Sequence, residues 1–210
     1  MMHPCPVSRP VILASASPRR IDILRTCGAD PQVLPSAYEE KDPFRLAPAE
    51  RAMFFALGKA LDVRSSYALS PAGLSDPPVI VGADTIVVFE GRIMEKPKDK
   101  SDGMQMLMAL SGMTHQVITG VCLADTESRL TRCFYEVSDV TFSAYSQTEM
   151  DAYLDTDEAY DKAGGYGIQG TFSKYVTRLD GDLDNVIGFP LARFLEEMKI
   201  YEQILKNGRL

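Results

Sequence analysis

The sequence is poor in histidine, in cysteine and in net positive charge, and each shortage removes a class of chemistry. His3 and His115 are its only histidines and no HExxH occurs, so histidine-rich metal centres are excluded and a Ser-His-Asp triad has one available base. His115 is expected to be a strand residue with a satisfied imidazole. Cys5, Cys27, Cys122 and Cys133 form no CxxC and no dense framework, so free thiols are expected rather than disulfides or a zinc site. A formal net charge of -7 argues against a broad nucleic-acid or anionic-membrane surface. No apolar run is long enough to span a bilayer, and MMHPCPVSRP lacks the apolar core of a secretory signal, so a cytoplasmic protein is expected. No GxxxxGK[ST] occurs either, which removes the P-loop route to phosphate binding.

What is present is an ordinary globular composition, 45% hydrophobic over 210 residues, enough for a substantial core. Val11 to Ala14 is a short apolar run bounded by turn chemistry and reads as a buried strand feeding a helix. Ser17 is a good N-cap for that helix, Pro18 suits its first position, Ile21 and Leu24 face inward, and Gly28 stops it. A second short strand lies near Gln32 to Leu34. Ala49, Ala52, Met53, Ala56, Leu57 and Ala60 then recur at helical spacing, with Lys59 beside the stripe. Residues 65–78 form a Pro/Ser/Ala-rich stretch without periodicity and are expected to be a surface loop.

Further on, Val79 to Val81 and Thr85 to Phe89 read as strand, with Asp84 within or beside it, Glu90-Gly91 as a tight turn and Arg92 to Met94 as the return strand. Ser101 is expected to cap a helix with Met104, Leu107 and Met108 inward and Gly112 past its end. Strands follow at His115 to Leu123 and Phe134 to Phe142. Ser146-Gln-Thr-Glu149 has the form of a capping box for a helix through Leu154, and a last helix covers about Leu191 to Leu205. Alternating strands and helices specify an α/β sheet.

Several constellations invite functional readings. GYGIQG, residues 165–170, matches the glycine pattern of a dinucleotide fingerprint, but no apolar strand precedes it and no helical pattern follows. A loop whose backbone makes close approaches is the expected structure, with Gln169 offering an amide able to read a base edge. DGDLDN, residues 180–185, resembles the start of a calcium loop, yet Asn185 stands where the glycine belongs and Leu191 where the bidentate glutamate belongs; a polar surface turn is expected. ASASPRR, residues 14–20, puts Arg19 and Arg20 in a first helical turn, the wrong end of the macrodipole for cations unless an anion is to be received there. Lys59, Asp84 and Lys96 complete a scattered set of charges, each of which alone would read as a solvated surface group.

LASASPRR with Glu40 downstream, GADT at 82–85, EKPKD at 95–99, LSGMTHQVITGV at 110–121, DKAGGYGIQG at 161–170 and LDNVIGFPL at 183–191 together resemble the Maf family of nucleoside triphosphate pyrophosphatases. The match spans most of the chain in the family's order, the departures being an N-terminal extension over residues 1–10 and the 65–78 loop. The resemblance implies a Maf/ITPase-like α/β fold, an elongated mixed twisted sheet flanked by helices with two lobes around a central cleft, in a single domain over 1–210. It also implies a homodimer and hydrolysis between the α and β phosphates to a monophosphate and pyrophosphate, with magnesium or manganese as cofactor.

By the same resemblance, Asp84 is the general base, and Glu40 and Asp84 are the metal ligands. Arg20, Lys59 and Lys96 match the family's basic positions, where they would neutralise the triphosphate and the pyrophosphate leaving group. A polyanion received at the helix start would make the placement of the arginines favourable. Ser15 and Ser17 are further phosphate contacts. One branch of the family prefers dTTP and UTP and carries arginine, threonine and glutamine at the positions of Arg19, Thr85 and Gln169, as this chain does. The same reaction on 7-methyl-GTP or another nucleotide, and a nucleotide-holding regulator of septum formation and cell division without turnover, are the alternatives. Neither nucleic acid nor membrane is an expected partner.

Overall fold

The computed structural model describes residues 7–67 and 77–208. In chain order the elements are β1 (Val11–Leu13), α1 (Pro18–Thr26), β2 (Gln32–Val33), α2 (Pro48–Tyr67), β3 (Val79–Phe89), β4 (Arg92–Met94), α3 (Lys100–Leu110), β5 (Thr114–Asp125), β6 (Thr131–Phe142), α4 (Gln147–Leu154), β7 (Val176–Asp180), α5 (Leu183–Ile187) and α6 (Leu191–Gly208). The strands form one mixed sheet in the order β2-β1-β3-β5-β6-β7, with β4 paired to β3. The expected α/β class is therefore the observed one. No described helix is long and apolar enough to cross a membrane.

The chain divides into two compact units. Segments up to Asp84, Thr119–Glu136 and from Gly188 onward form the first; Thr85–Ile118 and Val137–Ile187 form the second. In the first unit β1 lies parallel to both β2 and β3, with Ile12 opposite Gln32 and Ile80. Val11 to Leu13 and Val79 to Val81 are buried throughout, the continuous apolar runs that parallel strands covered on both faces require. Each such buried side chain contributes about 1.5–3 kcal/mol relative to exposure.

Helix α2 lies against these strands with unusual intimacy. Its inward stripe carries Ala52, Ala56 and Ala60, and the facing strands carry glycine. A Cβ on Gly82 of β3 would overlap Ala56 O and fall 2.9 Å from Ala60 N; one on Gly120 of β5 would lie 2.5 Å from Ala52 O. Small residues on both sides let backbone meet backbone. Phe55 and Val63 fill the remaining inward places, where Met53 and Leu57, expected inward, are half-buried.

The second unit is built on aromatic packing. Phe142 of β6 meets Tyr166 edge-on at 4.8 Å and Phe172 at 5.1 Å, and Phe172 in turn meets Tyr145, Tyr153 and Tyr175. Within β3, Thr85 to Phe89 turn back on β4 through Glu90 and Gly91, both at positive φ, the conformation that a two-residue hairpin turn needs. The expected capping box at Ser146 and Glu149 is present in full.

Several expectations are corrected. Ser17 supplies the extended residue before α1 but its side chain makes no capping bond. Ile23 and Leu24, not Ile21, are the buried positions of α1. The cap of α3 is Asp99, whose carboxylate accepts from Asp102 N at 2.8 Å, while Ser101 lies exposed inside the first turn. Helix α3 thus begins two residues earlier than a cap at Ser101 would place it, and Met108 is exposed while Leu110 is buried. Ser65 to Tyr67 continue α2 instead of opening a loop; of the rest of the expected 65–78 loop, residues 68–76 lie outside the described residues, as do residues 1–6. DGDLDN is a turn only as far as Asp182: Leu183 starts α5, and Asn185 is buried, donating to Val117 O and to Ser138 Oγ. Cys27, Cys122 and Cys133 are free thiols, and Cys5 lies outside the described residues.

Candidate active site

In the first unit the SPRR segment folds back on itself. Ser17 N donates to Ser15 Oγ at 3.2 Å, which fixes the turn before Pro18. Arg20 Nη1 donates to the same Ser15 Oγ at 3.0 Å, and Arg20 Nε to Gly188 O at 3.0 Å. Gly188 sits at φ 134°, a conformation that favours glycine and presents its carbonyl to the arginine. Burial lowers the proton affinity of this guanidinium, Arg19 lowers it further, and the charges of Asp84 and Glu40 raise it. It stays a cation at any accessible pH. Asp84 and Glu40 are thus close enough to Arg20 for their charges to act on it.

Lys59 is the centre of the cluster. Its Nζ lies 2.6 Å from Asp84 Oδ1 and 2.7 Å from Glu40 Oε1, and 3.5 Å from Ala83 O. Asp84 reaches it because Gly82, two residues earlier on β3, lets the strand run directly against α2. Glu40 reaches it because its own segment is tied to α2. Ser36 Oγ and Ala37 N both donate to Asp62 Oδ2, at 2.7 and 2.8 Å, and the Tyr38 ring lies over Gly58, where a Cβ would fall 2.5 Å from Cε2. Glu40 remains half open to solvent, whereas only 11% of the Asp84 side chain is exposed. Burial lifts the Asp84 carboxyl above the usual aspartate range, against the opposing pull of Lys59 beside it and of Arg20, and with the added push of Glu40.

The second unit carries Thr85, Lys96 and Gln169. Thr85 follows Asp84 on β3, so the two side chains leave opposite faces of the strand. Lys96 is exposed between Glu95, whose carbonyl accepts from Gly164 N at 3.0 Å, and buried Pro97. Gln169 is exposed near the end of the glycine-rich segment. The backbone approaches expected of that segment are real. A Cβ on Gly164 would lie 3.1 Å from Val87 Cγ1 and one on Gly165 3.0 Å from Pro97 Cγ, and both glycines have φ near 70° or above. Inside this unit His115 Nε2 lies 2.6 Å from Tyr166 Oη, while Nδ1 is buried without a partner, so the imidazole is half satisfied.

The residues that the sequence reading did not single out by role are Gly82, Gly120, Gly188 and Tyr166. GADT contains the first and LDNVIGFPL the third, but neither motif says that one glycine admits a helix or that the other's carbonyl holds Arg20.

Asp84 and Glu40 share one ammonium, so their hard oxygens converge on a single small cation and fit a magnesium- or manganese-like ion. Among the described residues no group of three or more His, Cys, Asp or Glu could hold a metal. An ion held by the pair would therefore complete its shell with water and phosphate oxygens, the usual habit of magnesium.

The comparison with known proteins agrees with this geometry. Residues 10–200 match the model of the family described as Maf-like protein. The chain is similar to proteins named dTTP/UTP pyrophosphatase: 40% identical over 191 residues to that of Bacillus pumilus (strain SAFR-032), covering 91% of this chain and 96% of the relative. To that of Bacillus cytotoxicus (strain DSM 22905 / CIP 110041 / 391-98 / NVH 391-98) it is 41% identical over 191 residues, 91% and 95% of the two chains. With the clustered acids and cations of the SPRR and GADT segments in one unit and a family match running nearly end to end, the chain belongs to the Maf-like protein family.

Proposed function

We propose that the protein hydrolyses nucleoside triphosphates, dTTP and UTP foremost, to the nucleoside monophosphate and pyrophosphate. The observation that carries this reading is Lys59 held between Asp84 and Glu40, with Arg20 close enough to feel both carboxylates. Asp84 takes a proton from a water molecule that attacks the α-phosphorus, and the bond from that phosphorus to the oxygen bridging the β-phosphate breaks. Arg20, Lys59 and Lys96 bind the polyphosphate and oppose the charge that grows on the departing pyrophosphate. Arg20 comes to this task oriented by Ser15 and Gly188, which spares the cost of ordering it on binding. Glu40 and Asp84 would hold a divalent cation, which would supply screening of the phosphate charge. Ser15, Ser17, Arg19, Thr85 and Gln169 complete the substrate contacts, Gln169 offering donor and acceptor to a pyrimidine edge.

A pyrophosphate-release screen with magnesium or manganese across dTTP, UTP, the other common triphosphates, modified pyrimidine nucleotides and 7-methyl-GTP tests this. Highest kcat/KM on dTTP or UTP is the expected result. Absence of turnover on every triphosphate would leave a nucleotide-holding protein without catalysis and end the proposal.

A further inference from the structure

The segment 161–170 reaches the interior of the second unit chiefly through Tyr166, with Ala163 and Ile168 half-buried against the same core. Gly164 and Gly165 are buried but offer only backbone; Tyr166, 5% exposed, is the side chain that goes in. Its ring stands edge-on to Phe142 at 4.8 Å and to His115 at 5.3 Å, and its hydroxyl meets His115 Nε2 at 2.6 Å. Two residues before it, Gly164 N bonds Glu95 O, and Gly165 packs on Pro97. Lys96 lies between those two contacts. Gln169 lies three residues beyond the tyrosine. The buried ring is therefore the main anchor of the segment that bears Gln169, and the adjoining glycines tie that segment to the one that bears Lys96.

His115 is suited to hold that ring and to do nothing else. The protons of the pair can be counted. A neutral imidazole has one N–H and the phenol one O–H, so a single bond between them leaves one donor spare, and His115 Nδ1 is buried with no partner. Among the described residues no carboxylate steadies a positive charge on the ring, and burial pulls its pKa down to about 4, so it is neutral near pH 7. A neutral, half-satisfied histidine is costly to keep in an aromatic interior unless its remaining bond matters.

We propose that the His115–Tyr166 hydrogen bond is a positioning device that sets the placement of Gln169 and Lys96 and thereby the enzyme's nucleotide preference. The inference rests on the substrate roles given to those two residues above. Tyr166→Phe removes one oxygen and keeps the ring packing, so the unit stays folded and only the placement loosens. A neutral hydrogen bond of ordinary net strength corresponds to about a three- to tenfold change in a population.

The test uses purified full-length protein carrying Tyr166→Phe, His115→Phe or His115→Gln, with hydrogen exchange and steady-state kinetics on dTTP and UTP. Tyr166→Phe and His115→Phe are expected to speed amide exchange over 161–170 and 95–97 by about three- to tenfold. They should lower kcat/KM by a similar factor, through KM as far as Gln169 is displaced and through kcat as far as Lys96 is. His115→Gln, which can still bond a hydroxyl, should lie nearer wild type. In a Gln169→Ala background, Tyr166→Phe should change the preference among nucleotides by much less than it does alone. Unchanged exchange and kcat/KM in folded Tyr166→Phe, or strictly additive effects with Gln169→Ala, overturn the inference. Should the wild-type protein turn over no triphosphate, the proposed function fails, and the exchange data alone decide the role of the pair. If His115→Phe does not fold, Tyr166→Phe and His115→Gln decide it.

Discussion

Gly82 and Ala56 stand so close that no side chain fits between them: a Cβ on Gly82 would overlap the Ala56 carbonyl oxygen. The contact is the reason Lys59, three residues further along α2, can bond Asp84, two residues further along β3. The pairing of Lys59 with Asp84 in the first unit thus depends on a place where the chain has no side chain at all.

Gly82→Ala should cost about 1–3 kcal/mol or more, because the obstacle is helix backbone and α2 must move. Gly91→Ala makes the useful contrast. Nothing lies within 4 Å of a Cβ there, but its φ of +74° strains an alanine by roughly 1–2 kcal/mol. Urea unfolding measures both. Only the first variant should also lose turnover, and equal losses in the two would deny the seam its role in placing Lys59.

Asp84→Asn keeps the size of the side chain and removes its capacity to take a proton. Pyrophosphate release should fall by roughly 10²-fold or more while circular dichroism and melting stay close to wild type. A variant that retains full turnover removes Asp84 from the mechanism.

Arg20→Lys preserves charge but not the fork that reaches Ser15 and Gly188 together. Loss of one charge-assisted hydrogen bond should raise KM for the triphosphate by roughly ten- to a hundredfold. Wild-type KM in this variant would mean that only the charge of Arg20 matters.

His115 supplies a pH signature of stability. Its pKa in the folded protein, about 4, lies below the ordinary 6.5, so the unfolded chain binds the extra proton first. Stability from this group is complete above pH 6.5 and is lost as pH falls toward 4, with a slope of up to about 1.4 kcal/mol per pH unit. His115→Gln should flatten the stability curve across that window. Parallel curves for the two proteins would show that the imidazole charges freely in the folded state.

The parts of this fold legible in the sequence were those decided locally. Ser146 and Glu149 form a capping box within one turn, and Pro18 behind an extended Ser17 occupies the first position of α1. Asp99 and Ser101 are both good caps two residues apart, and the bond from Asp102 N chooses between them. β7 was invisible because its exposed, charged residues show no clean alternation, and α5 because five residues cannot display a helical period. The Gly82 and Gly120 seam joins positions that no spacing rule connects. Lys59 beside Asp84 and Glu40 came from the family resemblance; as a bare residue on an amphipathic helix it carried no signal of its own.

One ammonium lies between the carboxyl groups of Asp84 and Glu40, so Lys59 is the shared counter-charge of two acids, with one formal negative charge in excess. A polyanion that attracts Lys59 leaves two acidic side chains in need of a new counter-ion. Nucleotide and divalent ion should therefore recruit one another, each tightening the other's binding by the same factor, as thermodynamic reciprocity demands.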